Sequence, residues 1–129
     1  MTKPIHQEVT IPASAKKVYD ALTNAKTFSA LSGGAPAEID ATAGGSFSLF
    51  GGQIGGRNIE LVPGKRVVQA WRAGNWAEGV YSVARFELTE EGGATRIVFD
   101  QAGFPDAARP QLEGGWAKMY WEPLTSYLK

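Results

Sequence analysis

The stretch Asp106–Lys129 at the C-terminus constrains this chain more than any other part. Leu112, Trp116, Met119, Tyr120, Leu124, Tyr127 and Leu128 recur at steps of three and four. That spacing places them on one face of a single long amphipathic helix. Lys118, Glu122, Thr125 and Lys129 fall on the other face. Asp106 stands where its carboxylate would cap the first turn. Pro123 lies inside the pattern, lacks an N–H and crowds the turn before it, so a kink is expected between Met119 and Pro123. A stripe this aromatic has to be covered, and the strands upstream are the only cover available.

Those strands can be read in order. Ile5, Gln7, Val9 and Ile11 alternate with His6, Glu8 and Thr10, the pattern of a half-buried strand. Pro12 ends it, and Ser14 is placed to cap a helix over Ala15–Thr23 that buries Val18, Tyr19 and Leu22. Asn24 caps a second short helix with Phe28 and Leu31 as its buried pair, stopped at Ser32-Gly33-Gly34. Short strands then alternate with turns at Gly44-Gly45, Gly51-Gly52, Pro63-Gly64 and Glu91-Gly92-Gly93. They cover Ala37–Ala41, Phe47–Leu49, Gln53–Val62, Lys65–Ala73, Val80–Leu88 and Thr95–Ala102. At Gly55-Gly56 a bulge or a close backbone approach is expected.

Strands joined by tight turns form an antiparallel sheet, and twist and bulges make it curl. The fold class is α+β: a curled antiparallel sheet of about six to seven strands around the C-terminal helix, with two short helices after the first strand. A chain of 129 residues suggests one domain, 1–129, with a core that needs no staples.

Composition narrows the function classes. Thirteen Lys and Arg balance thirteen Asp and Glu, which gives no electrostatic reason to expect nucleic acid or an anionic membrane surface. The absence of cysteine removes disulfides, thiolate metal sites and thiol nucleophiles. No signal-peptide core and no run of membrane-spanning length is present, so a cytoplasmic location is expected.

Several segments together resemble a known family. They are Val9-Thr10-Ile11-Pro12-Ala13-Ser14 with Val18-Tyr19-Asp20-Ala21-Leu22-Thr23, then Gly44-Gly45-Ser46-Phe47, and the run from Ile59 to Val68 ending in Trp71. Gly93-Ala94-Thr95-Arg96-Ile97 and Gly115-Trp116 with Leu124 and Leu128 complete the set. In these the chain resembles the helix-grip fold of the birch-pollen-allergen and START-like superfamily. Within it, the chain looks like the single-domain group named for the activator of the Hsp90 ATPase. The resemblance implies a space between sheet and helix that can hold a small hydrophobic ligand. It also brings in a second function, a protein-interaction or stress-related co-chaperone-like module, as a monomer or homodimer.

Strand alternation and the helical stripe point Phe47, Leu49, Trp71, Phe86, Phe99, Trp116, Met119 and Tyr120 at one another, and these are the expected ligand-binding residues. The plainer alternative is that they fill a solid core. No catalytic set emerges. His6, the only histidine, sits on the polar face of the first strand with no metal-ligand partners at the right spacing. Glu78, beside Trp76 in a loop that could rim the space, is the one carboxylate worth following; Asp100 and Glu122 face outward. No serine stands in a nucleophile-elbow pattern, and Gly51–Gly56 lacks the helix and Lys-Ser/Thr of a phosphate loop. No metal and no cofactor is expected, and an enzyme acting on a small hydrophobic substrate ranks last of the three functions. Trp76 and Trp121 are expected to be partly exposed, where either could join a dimer contact.

Overall fold

A computed structural model describes residues 3–129. Strand β1 (Ile5–Ile11) leads into α1 (Ala15–Thr23) and α2 (Ala25–Leu31). Both helices start as the sequence requires. The Ser14 hydroxyl accepts from the Lys17 N–H at 3.2 Å and the Asn24 side chain from the Thr27 N–H at 3.0 Å. The remaining strands are β2 (Glu38–Ile39), β3 (Ser46–Leu49), β4 (Ile54–Val62), β5 (Arg66–Ala73), β6 (Ser82–Glu91) and β7 (Ala94–Ala102).

The described strands make one seven-stranded antiparallel sheet in the order β1-β7-β6-β5-β4-β3-β2. Five of its neighbours are consecutive hairpin partners. The sixth pairing carries β1 to the far side of β7, with Ile5 opposite Gln101 and Ile11 opposite Thr95. One face of the sheet is apolar: Ile5, Ile11, Phe47, Leu49, Val67, Trp71, Ala84, Phe86, Leu88, Ile97 and Phe99 are buried on it. The outer face is charged, and an ion-pair chain runs across it from Arg96 through Glu8, His6 and Asp100 to Arg85.

Ala37–Ala41 contributes only the two-residue β2. At the Gly55-Gly56 pair the ladder keeps its register, and the irregularity lies at Asn58/Glu60 instead. Gly56 serves the other expected purpose: a Cβ there would lie 1.8 Å from the Ala70 carbonyl oxygen, so the two backbones meet with no room for a side chain.

The C-terminal helix crosses the apolar face, but not as one uniform α-helix. A 3₁₀ turn at Asp106–Ala108 precedes α3 (Arg109–Trp116). A π turn (Ala117–Trp121) then continues without a break into α4 (Glu122–Leu128). Asp106 makes no capping bond; Pro110 sits in the first turn of α3, where its missing N–H costs nothing.

The π turn is where the kink was expected. The Glu122 N–H reaches back to the Ala117 carbonyl, five residues away, just before Pro123 interrupts the α-helical ladder. A π turn holds one residue more than an α turn, so both Tyr120 and Trp121 face inward, at 4% and 6% exposure. The same phase shift swings Tyr127 out to 50% exposure. Trp121 is therefore a core residue, not a surface aromatic, and its indole N–H donates to Gln7 Oε1 at 2.7 Å.

Candidate functional site

A cavity of about 540 Å³ opens between the C-terminal helix and strands β4 and β5 of the sheet. Trp71, Ile54 and Ala73 form its sheet wall, and Leu112, Trp116, Met119 and Tyr120 its helix wall. Phe50 and Gln53 close one end, while Asn75 and Trp76 reach in from the β5–β6 loop.

The expected ligand-binding residues divide between this cavity and the solid core. Trp71, Trp116, Met119 and Tyr120 line the space. Phe47, Leu49, Phe86 and Phe99 do not: they are buried in the core, with Phe86 and Phe99 packed ring to ring at 5.0 Å and Phe99 on Trp116 at 4.2 Å. The reason is geometric. On the β6–β7 side the helix lies close on the sheet, so Phe86 and Phe99 meet Trp116 and Trp121 directly; Phe47 and Leu49, on β3, are buried without bordering the cavity. Met119 is 40% exposed and belongs to the rim.

Alternation could not find Phe50, Ile54, Trp76, Gly114 or Gly115, because these sit in turns, at a strand end or in the helix. Phe50 has φ 54°, the left-handed region that bulky side chains avoid. Burial holds it there: its ring meets Phe28 edge-on at 5.3 Å and Tyr120 at 6.0 Å. Trp76 is half-buried and packs edge-on against Trp71 at 5.7 Å. Its loop is held by Arg72, which donates from Nη2 to the Trp76 carbonyl at 2.6 Å and lies over the Tyr81 ring at 5.7 Å. Glu78 belongs to the same loop but is exposed and outside the lining.

Gly114 and Gly115 both border the cavity. Glycine inside a helix costs about 1 kcal/mol relative to alanine. Close packing does not account for either one, because a Cβ at each would meet nothing within 4 Å. Their effect is to keep the helix wall of the cavity free of side chains.

The polar groups behind the wall are paired in a defined way. Trp116 Nε1 donates to Gln101 Oε1 at 2.8 Å, Gln101 Nε2 donates to Ser82 Oγ at 2.9 Å, and Ser82 donates to the Trp71 carbonyl at 2.8 Å. Trp71 Nε1 donates to the Tyr120 hydroxyl at 3.3 Å. Burial pushes the Tyr120 phenol well above the ordinary tyrosine range, against the smaller opposite effect of the Trp71 bond, so it stays protonated. Its own O–H finds no acceptor among the described residues, which leaves one hydrogen-bond donor at the cavity wall.

His6 has more company than its sequence context implied. Nδ1 meets Asp100 Oδ1 at 2.7 Å and Nε2 meets Glu8 Oε2 at 2.8 Å, on the outer face of the sheet away from the cavity. Among the described residues no group of three or more His, Cys, Asp or Glu is placed to hold a metal ion.

An antiparallel sheet with a long helix across its apolar face and an aromatic cavity at one end defines a helix-grip protein. Comparison with known proteins narrows the class. Residues 12–129 match the family model for Activator of Hsp90 ATPase homolog 1-like protein, and the chain belongs to that family. It is 31% identical over 118 residues to the activator of 90 kDa heat shock protein ATPase homolog of Dictyostelium discoideum, a match covering 91% of this chain and 30% of that one. It is 30% identical over 90 residues to homolog 1 of Homo sapiens, covering 70% of this chain and 27% of the human protein. The chain thus spans less than a third of the length of each of these two relatives.

Among solved structures, an HSP90 activator from Plasmodium falciparum superposes with a TM-score of 0.92 at 24% identity, over 98% of this chain and 96% of that one. The Aha1 dimer from Colwellia psychrerythraea gives 0.81 at 22% identity, over 98% and 96%. At these identities the likeness establishes the shared fold. No described helix is long and apolar enough to cross a membrane.

Proposed function

We propose that this protein binds a small hydrophobic ligand, without catalysis, in the cavity between the sheet and the C-terminal helix. The observation that carries this is the cavity itself: its volume of about 540 Å³ lies inside the roughly 300–1,000 Å³ range of small-molecule sites. Two features support it. The helix wall is kept open by Gly114 and Gly115, which no packing contact requires. The Tyr120 hydroxyl also keeps a hydrogen to give, so a ligand with a carbonyl or ether oxygen would fit better than a pure hydrocarbon. We place the protein in the cytoplasm on the sequence grounds given above.

The test uses Gly115→Leu. Nothing stands within 4 Å of a Cβ there, so leucine can enter the cavity without displacing backbone. Native mass spectrometry of freshly purified wild type should show an added mass of a few hundred daltons, lost on denaturation, and the variant should lack it. No added mass, together with no binding of an apolar dye such as 1-anilinonaphthalene-8-sulfonate, would remove the proposal.

A second function, as a partner module for an Hsp90-type chaperone, is favoured by the relatives, several of which are named as activators of that ATPase. The large exposed apolar side chains Ile59, Tyr81, Val83, Met119 and Tyr127 are candidate contacts for it. The ATPase rate of a purified Hsp90 with and without this protein tests it, and no change in rate would dismiss it. Association as a dimer, as in the Colwellia relative, belongs with this second function.

A further inference from the structure

The charges around the cavity are one-sided. Lys118 lines it, and no Asp or Glu does. The other polar side chains in the lining are the neutral amides of Gln53, Asn75 and Gln111 and the Tyr120 hydroxyl. Lys118 is exposed at the rim, and among the described residues it has no ion-pair partner. Glu122, four positions further along the helix, makes no bond to it. The π turn sets Lys118 beside Met119 and Tyr120, all three on the cavity lining, although an ideal α-helical stripe would turn Lys118 away.

We infer that the occupant of the cavity is an amphipathic carboxylate. Its apolar body lies against Trp71, Trp116, Leu112 and Ile54, and its head group meets the Lys118 ammonium at the mouth. This rests on the ligand-binding function proposed above and names the chemistry of the ligand. An ammonium with no ion-pair partner gains from an anion at the mouth, and a cationic head there would be repelled with no carboxylate in the lining to offset it. The gain is modest because the mouth is open to water: about fivefold in affinity, shrinking as salt is added.

The experiment is a fluorescence titration with three ligands that differ only in the head group: decanoate, decan-1-ol and decylamine. Trp71, Trp76 and Trp116 line the cavity, so intrinsic fluorescence reports its occupancy directly. Decanoate should bind wild type about fivefold more tightly than decan-1-ol, and decylamine should bind more weakly than either. Lys118→Gln should bring decanoate down to the level of decan-1-ol and leave decan-1-ol unchanged. Lys118→Glu should reverse the order of decanoate and decylamine. The side chain is exposed, so both variants should fold like wild type, which far-ultraviolet circular dichroism checks.

Equal affinity of wild type for decanoate and decan-1-ol would overturn the carboxylate assignment and leave the cavity as a neutral site. The same holds if a decanoate preference survives in Lys118→Gln. No fluorescence change with any of the three would overturn the assignment together with the ligand-binding function beneath it.

Discussion

Trp71 and Tyr120 are 49 positions apart, and the indole N–H of the first donates to the hydroxyl of the second at 3.3 Å. This bond ties the central strand β5 to the π turn of the C-terminal helix at the cavity wall. Both residues are almost fully buried. Replacing Tyr120 by Phe keeps the ring and strands the indole N–H. A buried donor left without an acceptor costs about 1–3 kcal/mol. Urea denaturation of Tyr120→Phe should show that loss. A variant as stable as wild type would mean that water replaces the hydroxyl.

Gly56 is the least replaceable glycine of the sheet. An added methyl would stand 1.8 Å from the Ala70 carbonyl oxygen and 2.9 Å from the Phe47 ring, and the first of these is backbone that cannot move alone. Gly56→Ala should destabilise the protein by about 3 kcal/mol, near the upper end of overpacking costs. Gly115→Ala should do the opposite and raise stability by about 1 kcal/mol, since the position is helical and its Cβ would be free. Thermal melts of the two variants check both signs.

Arg72 should govern the motion of the β5–β6 loop. Its guanidinium holds the Trp76 carbonyl, and its cation–π contact with Tyr81 joins the two ends of the loop. Arg72→Ala removes a charge-assisted bond worth about 1.5–3 kcal/mol, and the loss falls on the loop more than on the sheet. Amide hydrogen exchange should quicken across residues 74–79 and stay slow in β6. Unchanged exchange in the loop would show that Trp76 packing alone holds it.

The His6 cluster should make stability depend on pH in a defined direction. Hydrogen bonds to Asp100 and then Glu8 raise the His6 pKa above its ordinary value near 6.5. A raised folded-state pKa gives stabilisation that is complete below the unfolded value and disappears as pH climbs through the folded one. Glu8 goes the other way: its bonds to His6 and Arg96 lower its pKa, so its share is present above the ordinary carboxylate value and lost as pH falls through the lowered one. For Asp100 burial pushes upward, but the bonds from His6 and Arg85 bring it below the ordinary range. The cluster thus contributes most in mild acid. Nuclear magnetic resonance titration of the only histidine should give a pKa above 6.5. The stability gap between wild type and His6→Gln should be wider at about pH 5.5 than at about pH 9. A gap that does not change between those pH values would mean that the ion pairs are fully screened.

Sequence periodicity by itself determined the order of elements, the two helix caps at Ser14 and Asn24, the antiparallel meander and the aromatic helix over it. These are local matters: alternation, 3.6-residue spacing and turn chemistry act over a few residues and are written in them. It also picked out Trp71, Trp116, Met119 and Tyr120, because each lies on the apolar face of its own element. Only the tertiary structure decided which inward residues border empty space. Phe86 and Phe99 have the same local pattern as Trp71, yet they are core because the helix lies directly on β6 and β7. Phe50, Trp76 and the glycines of α3 border the cavity through turn geometry, loop anchoring and missing side chains, none of which alternation reveals. The π turn was decided there too. Pro123 signalled a disruption, but whether the helix would bend or take in an extra residue depended on the gain from burying both Tyr120 and Trp121. That gain exists only when the sheet is in place.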